Sequence, residues 1–250
     1  MLTEQLIGRT VTNDDGQRLG QVLCAARDRD ATLIESTRAL AGTVVELIDC
    51  IKAQRRQFVT LVQAFSCALD ARDALHQNHS LNVTNYAMGI GVLLGLSGRH
   101  LEWLRVAAPL QDLGKIGTPD RILTKPGPLE PHEHDEMKKH ARFTRSILAK
   151  VEFTDEYGDL AELAAAHHER LDGSGYPDAL AGNEIPLKVR ILAVADVFSA
   201  LTQARHHRPG LTTGEAVTVL EELAPGKLDS RCIDALKKFL NIGPPPPPAA

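Results

Sequence analysis

No two of the four cysteines, Cys24, Cys50, Cys67 and Cys232, form a Cys-x-x-Cys pair, so neither a disulfide framework nor a cysteine zinc site is expected. They read as reduced thiols of a cytoplasmic chain. Aromatic residues make up only 4% of the sequence, too few for the stacking platforms that hold single-stranded nucleic acid. There is no excess of positive charge either. Lys and Arg number 28 and Asp and Glu 32, a formal net charge of -4, which argues against a duplex DNA binder. The longest largely apolar run, Tyr86 to Leu96, is too short to span a bilayer. Glu4 falls where a secretory signal would carry its apolar core, so export is not expected.

What is present is the composition of a globular protein: 250 residues, 43% of them hydrophobic, enough for one large domain or for a domain plus a small module. Residues 1–43 stand apart. Short β-prone pieces at Arg9 to Thr12, Leu19 to Leu23 and Thr32 to Ile34 are separated by turn-forming and charged residues, and predict a small β-rich module or extension. From residue 44 the apolar period becomes helical through Val44, Leu47, Ile48, Ile51, Phe58, Leu61, Val62, Phe65 and Leu69. That helix is either a connector from a sensor module or the first core helix. Further helices are expected at 80–96 with Ser97-Gly98 as its stop, at 101–113, at 131–150 starting on Pro131, and at 156–169, 186–204, 212–223 and 229–240. The fold class is therefore all-α over residues 44–242. Residues 243–250, with five consecutive prolines, form a tail that cannot continue a helix.

The histidines are unevenly spread. His79, Asp112, His140, His167, His168 and Asp196 follow one another at 27 to 33 residues, His167 and His168 being adjacent. A helix, a turn and a return helix take about 30 residues, so side chains at this spacing can return to one level of a bundle. Imidazole and carboxylate together suit Fe, Mn or Zn. Each residue has a plainer reading: His79 as a surface or core histidine, His167 and His168 as partners of a helix C-terminus. Asp112 and Asp196 weigh more, because each sits in an apolar stretch where a carboxylate needs a buried partner, a metal or an arginine. The loop Asp172-Gly173-Ser174-Gly175-Tyr176-Pro177 is either a surface turn or a wall of that site. Arg205 and Arg208 are either a solvated helix end or a phosphate-binding pair.

Two segments carry a family resemblance. Leu110 to Asp120 resembles the motif of the HD superfamily of metal-dependent phosphohydrolases. His167-His168-Glu169-Arg170-Leu171-Asp172-Gly173-Ser174-Gly175-Tyr176-Pro177 is similar to the signature of its HD-GYP branch, and the likeness runs from about residue 70 to 210. The resemblance implies an HD-type helical bundle and hydrolysis of cyclic di-GMP to pGpG or GMP. It implies metal ligands at His79, Asp112, His140, His167, His168 and Asp196, with Asp112 bridging. Lys115 would lie beside the phosphate, and Tyr176, Arg205 and Arg208 would contact the nucleotide. The Gly173–Pro177 loop would be a docking surface for a signalling partner. The sequence departs from the pattern at Gln111, where the family has the His of its His-Asp pair, and at Leu75, Asn82, Ser199 and Ala204. Gln111 implies one tightly held ion and a second that is weak or absent, in a hydrolase slowed by that loss or in a degenerate member that binds and signals.

Overall fold

The computed structural model describes residues 31–72, 78–204, 209–224 and 226–242. Among these residues the architecture is all-α: nine helices, three short 3-10 turns, and a single isolated bridge between Asp172 and Ala181. The chain divides into two units, Met1–Leu61 and Val62–Ala250, and the boundary falls inside α1 (Ala31–Arg72). Thr32 to Ile34, expected as a strand-like piece, is helical, because local β propensity is weak and these residues open the apolar period of α1. The first helix thus starts at Ala31 rather than near residue 44. The other β-prone pieces, within residues 1–30, and the proline tail, 243–250, lie outside the described residues.

In the second unit α2 (His79–Leu93) is the central rod. Val83, Ala87 and Ile90 are buried where α2 packs on α3 (Gly98–Leu110), α7 (Leu187–Thr202) and α9 (Ser230–Phe239). Ser97-Gly98 opens α3 instead of ending α2. The earlier helix has already stopped at Leu93, and the chain turns at Gly95 (φ 75°). The near-continuous apolar run of α7 is explained by burial on every side: Val189, Ile191, Leu192, Val194, Ala195 and Phe198 are all inside. Asp196 and Ser199 are the polar residues buried among them.

After α3 come a 3-10 turn over Leu113–Gly117 and α4 (Asp120–Leu123). α5 (Pro131–Leu148) starts where the sequence placed it. Pro131 is its first residue, and the Glu133 carboxylate accepts from the backbone N–H of Glu130 at 2.8 Å. Its buried face, His140, Ala141, Thr144 and Leu148, lies on the 3-10 turn. α6 (Leu160–Ala165) is much shorter than the expected 156–169. It is preceded by a separate 3-10 turn at Asp155–Tyr157 and ends in a turn that frees His167 and His168 from the helix. α8 (Thr213–Leu223) begins on a capping box between Thr212 and Glu215, and packs with α9 and α7.

Candidate metal centre

Five elements deliver the six residues singled out by spacing. His79 is the first residue of α2, Asp112 follows α3, His140 sits mid-way along α5, His167 and His168 follow α6, and Asp196 is inside α7. They fall into two groups, each with its ligand atoms within 4.8 Å of one another: Asp112, His140, His167 and His168 in one, His79, Asp112 and Asp196 in the other. Asp112 belongs to both. Its Oδ1 is 3.4 Å from His140 Nε2 and 3.7 Å from His167 Nε2. Its Oδ2 is 3.7 Å from His79 Nε2 and 2.8 Å from Lys115 Nζ.

Second contacts fix how the rings present themselves. His140 Nδ1 donates to the Met137 carbonyl at 2.7 Å, and His167 Nδ1 to the Ala164 carbonyl at 2.8 Å. A carbonyl can only accept, so each ring keeps a lone pair on Nε2, turned toward Asp112. His140 Nε2, His167 Nε2 and Asp112 Oδ1 are buried without a hydrogen-bond partner. Three buried acceptor atoms converging on one another repel, and a cation among them removes the cost. On that observation the residues fit a metal ion, and imidazole with carboxylate suits Fe, Mn or Zn.

The protonation states agree. Burial pushes His140 down to about 4, although Asp112 pulls it up, and burial also holds His168 well below the ordinary histidine range. Both rings are neutral at pH 7, the form that can ligate. Burial drives the Asp112 carboxyl upward, but Lys115 and the imidazoles of His140, His167 and His79 outweigh it and keep it well below the usual range. Burial likewise opposes ionisation of Asp196, yet the His79 hydrogen bond and His168 hold it low.

The second group is assembled differently. His79 Nε2 is 3.1 Å from Asp196 Oδ1, and its Nδ1 is 3.0 Å from Ser199 Oγ, so this hydroxyl orients the ring where the family pattern has a carboxylate. Gln111 is buried at the same place, and its Nε2 donates to Asp196 Oδ1 at 3.1 Å. In that orientation it presents an N–H rather than a lone pair to the carboxylate it shares with His79. The Tyr176 ring lies 4.6 Å from that of His168 and 6.2 Å from that of His140, so the glycine-rich loop does form a wall of the centre. Gly175 permits this approach, since a Cβ there would meet the backbone of His168, Glu169 and Arg170. Arg205, Arg208 and Leu75 lie outside the described residues.

Three supporting residues were given no role by the sequence, although Glu169 lies within the HD-GYP-like signature. Thr144 Oγ1 accepts from Gly114 N at 2.8 Å and donates to the Gln111 carbonyl at 2.9 Å, tying α5 to the segment that bears Asp112. The buried Glu169 carboxylate accepts from Asp178 N at 2.7 Å and Leu180 N at 3.0 Å, which staples the loop beyond Tyr176. Arg72, the last residue of α1, donates to the carbonyls of Lys115, Ile116 and Thr118 at 3.2, 2.8 and 2.8 Å and pairs with Asp120 at 2.7 Å. A pattern search for apolar periods or ligand spacing passes over residues that act on backbone atoms. Because solvent reaches its guanidinium, Arg72→Ala is expected to cost only about 1 kcal/mol. For a domain of this size that is a fall of roughly 2–4 °C in melting temperature, measurable by calorimetry.

Comparison with known proteins agrees with this geometry. The family model described as "HD domain" matches residues 49–232. The 3'3'-cGAMP-specific phosphodiesterase 3 of Vibrio cholerae is 40% identical over 184 residues, covering 74% of this chain and 39% of that protein. The cyclic di-GMP phosphodiesterase response regulator RpfG of Xanthomonas campestris is 40% identical over 170 residues, covering 68% of this chain and 44% of that protein. The chain thus spans about two fifths of the length of these curated relatives. Among solved structures, an HDG"Y"P protein from Bdellovibrio bacteriovorus has the same fold, with a TM-score of 0.57 at 20% identity over 79% of this chain and 64% of the other. With the match over most of its length, two His/Asp groups sharing Asp112, and the glycine-tyrosine-proline loop against them, the chain belongs to the HD superfamily of phosphohydrolases, in its HD-GYP branch.

Proposed function

We propose that this chain hydrolyses a cyclic dinucleotide, cyclic di-GMP, to linear pGpG or GMP, with Asp112 shared between two metal positions of unequal strength. The observation that carries the reading is the division of the Asp112 carboxylate, one oxygen toward His140 and His167 and the other toward His79 and Lys115. His140, His167, His168 and Asp112 would hold the tight ion, and His79, Asp112 and Asp196 the weak one. When bound, metal ions supply Lewis acidity to water and to the phosphodiester. The chain's own residues do the rest. The carbonyls of Met137 and Ala164 keep the Nε2 lone pairs of His140 and His167 facing inward. Lys115 places a positive charge 2.8 Å from Asp112, where it can offset charge developing on phosphate oxygens. Tyr176 borders the space above His168, and Arg205 and Arg208 would receive the remaining phosphate charge.

The two relatives are named for different cyclic dinucleotides, so the assay compares cyclic di-GMP with 3'3'-cGAMP. Protein purified without oxygen is analysed for metal and for linear products. One ion per chain is expected, with slow turnover. Gln111→His is expected to raise occupancy toward two ions and to raise kcat more than it changes KM, because the added imidazole acts on charge that develops in the transition state. Hydrolysis of neither nucleotide by the two-ion variant would overturn the enzymatic reading. A second reading, a nucleotide-binding signalling module, is favoured by the Gln111 amide donating to Asp196. In that case the exposed rim of the glycine-rich loop, Asp172 and Ser174, faces a protein partner.

A further inference from the structure

The exposed apolar residues of α1 do not scatter. Leu40, Val44, Leu47, Ile51, Leu61 and Phe65 are the large hydrophobic side chains of this helix that stand between 42% and 66% exposed. Their separations are four, three, four, ten and four residues, and the ten is the sum of three, four and three. Extended in both directions, this alternation of four and three runs through Leu33, Thr37, Leu40, Val44, Leu47, Ile51, Gln54, Phe58, Leu61, Phe65 and Ala68. Among the described residues Val45, Ile48, Val59, Val62 and Leu69 lie off this line and are buried or half-buried, while on it Phe58 is half-buried. A repeat of seven, kept for five turns of the pattern, belongs to a seam between supercoiled helices. A helix lying on a globular core carries a broader stripe.

We propose that α1 forms a parallel, in-register, two-stranded coiled coil with α1 of a second copy of this chain. Two observations choose the occupant. From Leu33 to Ile51 one core position holds Leu33, Leu40 and Leu47 and the other the β-branched Thr37, Val44 and Ile51, the combination that favours two parallel strands over three or four; further on the first holds Gln54, Leu61 and Ala68 and the second Phe58 and Phe65. Gln54 stands alone as a polar residue in the middle of the seam. In a parallel, in-register pair it meets the same amide of the second copy and the two can hydrogen-bond. In an antiparallel pair the two core positions face one another, so Gln54 would meet Val44 or Ile51 and lose its partner, at the cost of a buried unsatisfied amide. The seam from Leu33 to Ala68 covers 36 residues, about 54 Å at the helical rise, long enough for a stable zipper.

The test uses the full chain and sedimentation equilibrium. Wild type is expected at twice the 27.2 kDa chain mass. Leu47→Lys with Ile51→Lys is expected to weaken dimerisation roughly a hundredfold or more, since four apolar side chains leave the seam per dimer. Gln63→Lys, on the outer side of the helix, is expected to leave it unchanged. Circular dichroism at equal concentration reports whether the double variant keeps its fold. Orientation is read separately. With Cys24, Cys50 and Cys67 changed to Ser, Gln54→Cys should oxidise to a covalent dimer, because only parallel, in-register pairing brings the two positions together. A wild type that stays monomeric up to its solubility limit, or a dimer unaffected by the two lysines, would overturn the proposal. A dimer in which Gln54→Cys fails to cross-link would overturn its parallel arrangement.

Discussion

Asp112→Asn is expected to leave a folded protein that retains no metal ion and turns over cyclic dinucleotide about a thousandfold more slowly, or worse. Both ligand groups need this residue, and an amide supplies neither the charge nor the pair of equivalent oxygens that divides between them. Metal contributions to charge stabilisation amount to several kcal/mol, and each 1.4 kcal/mol is a factor of ten in rate. His79→Ala makes the informative contrast. It removes one member of the three-residue group and leaves Asp112, His140, His167 and His168 intact, so the tight ion should stay. Metal analysis of both variants separates a shared carboxylate from two independent sites. Equal metal retention in wild type and Asp112→Asn would show that the carboxylate does not bridge.

The second large effect is expected at a residue without a side chain, between Asp112 and Lys115. Gly114 lies against α5 so closely that a Cβ would collide with the backbone carbonyl of His140 and come within 2.5 Å of Thr144 N. Neither atom is a flexible side chain that could swing away. Gly114→Ala should therefore push α5 off the Asp112 segment, break the hydrogen bond from Gly114 N to Thr144 Oγ1, and destabilise the domain by about 3 kcal/mol or more. Melting should fall by roughly 6–12 °C, and the tight ion should weaken because His140 moves with its helix. Gly214→Ala in α8 has open space around it and is the matched control, expected within about 0.5 kcal/mol of wild type. A Gly114→Ala protein that melts like the control would mean that the contact relaxes without cost.

Much of this centre was legible because metal ligands obey two constraints at once. They must be of a few chemical types, and on a helical bundle they must recur at the length of a helix and its return. His79, Asp112, His140, His167, His168 and Asp196 satisfy both, and the fold brings all six together. Pro131 and Glu133 marked the start of α5 by the same kind of local necessity. The misreadings share a cause too. Thr32 to Ile34 has strand-forming side chains, but the seven-residue period that Leu33 opens appears only over a window longer than the piece itself. Ser97-Gly98 suits a helix stop or a helix start, and only the turn at Gly95 decides between them. The direction of the Gln111 amide, which bears on whether the second group is complete, is set by Asp196, 85 residues away, and no local pattern encodes it.

The way Arg72 grips its neighbour has an evolutionary side. Three of its partners are carbonyl oxygens, those of Lys115, Ile116 and Thr118, and every amino acid carries one. Ile116 has an exposed side chain, so that position can drift through many residue types while the joint between α1 and the Asp112 segment persists unchanged. Position 72 has less freedom, even at the modest cost expected for Arg72→Ala. Lysine offers a single ammonium where the fork of a guanidinium reaches three carbonyls and a carboxylate together. The joint therefore asks for particular side chains at Arg72 and Asp120 and for none at Ile116.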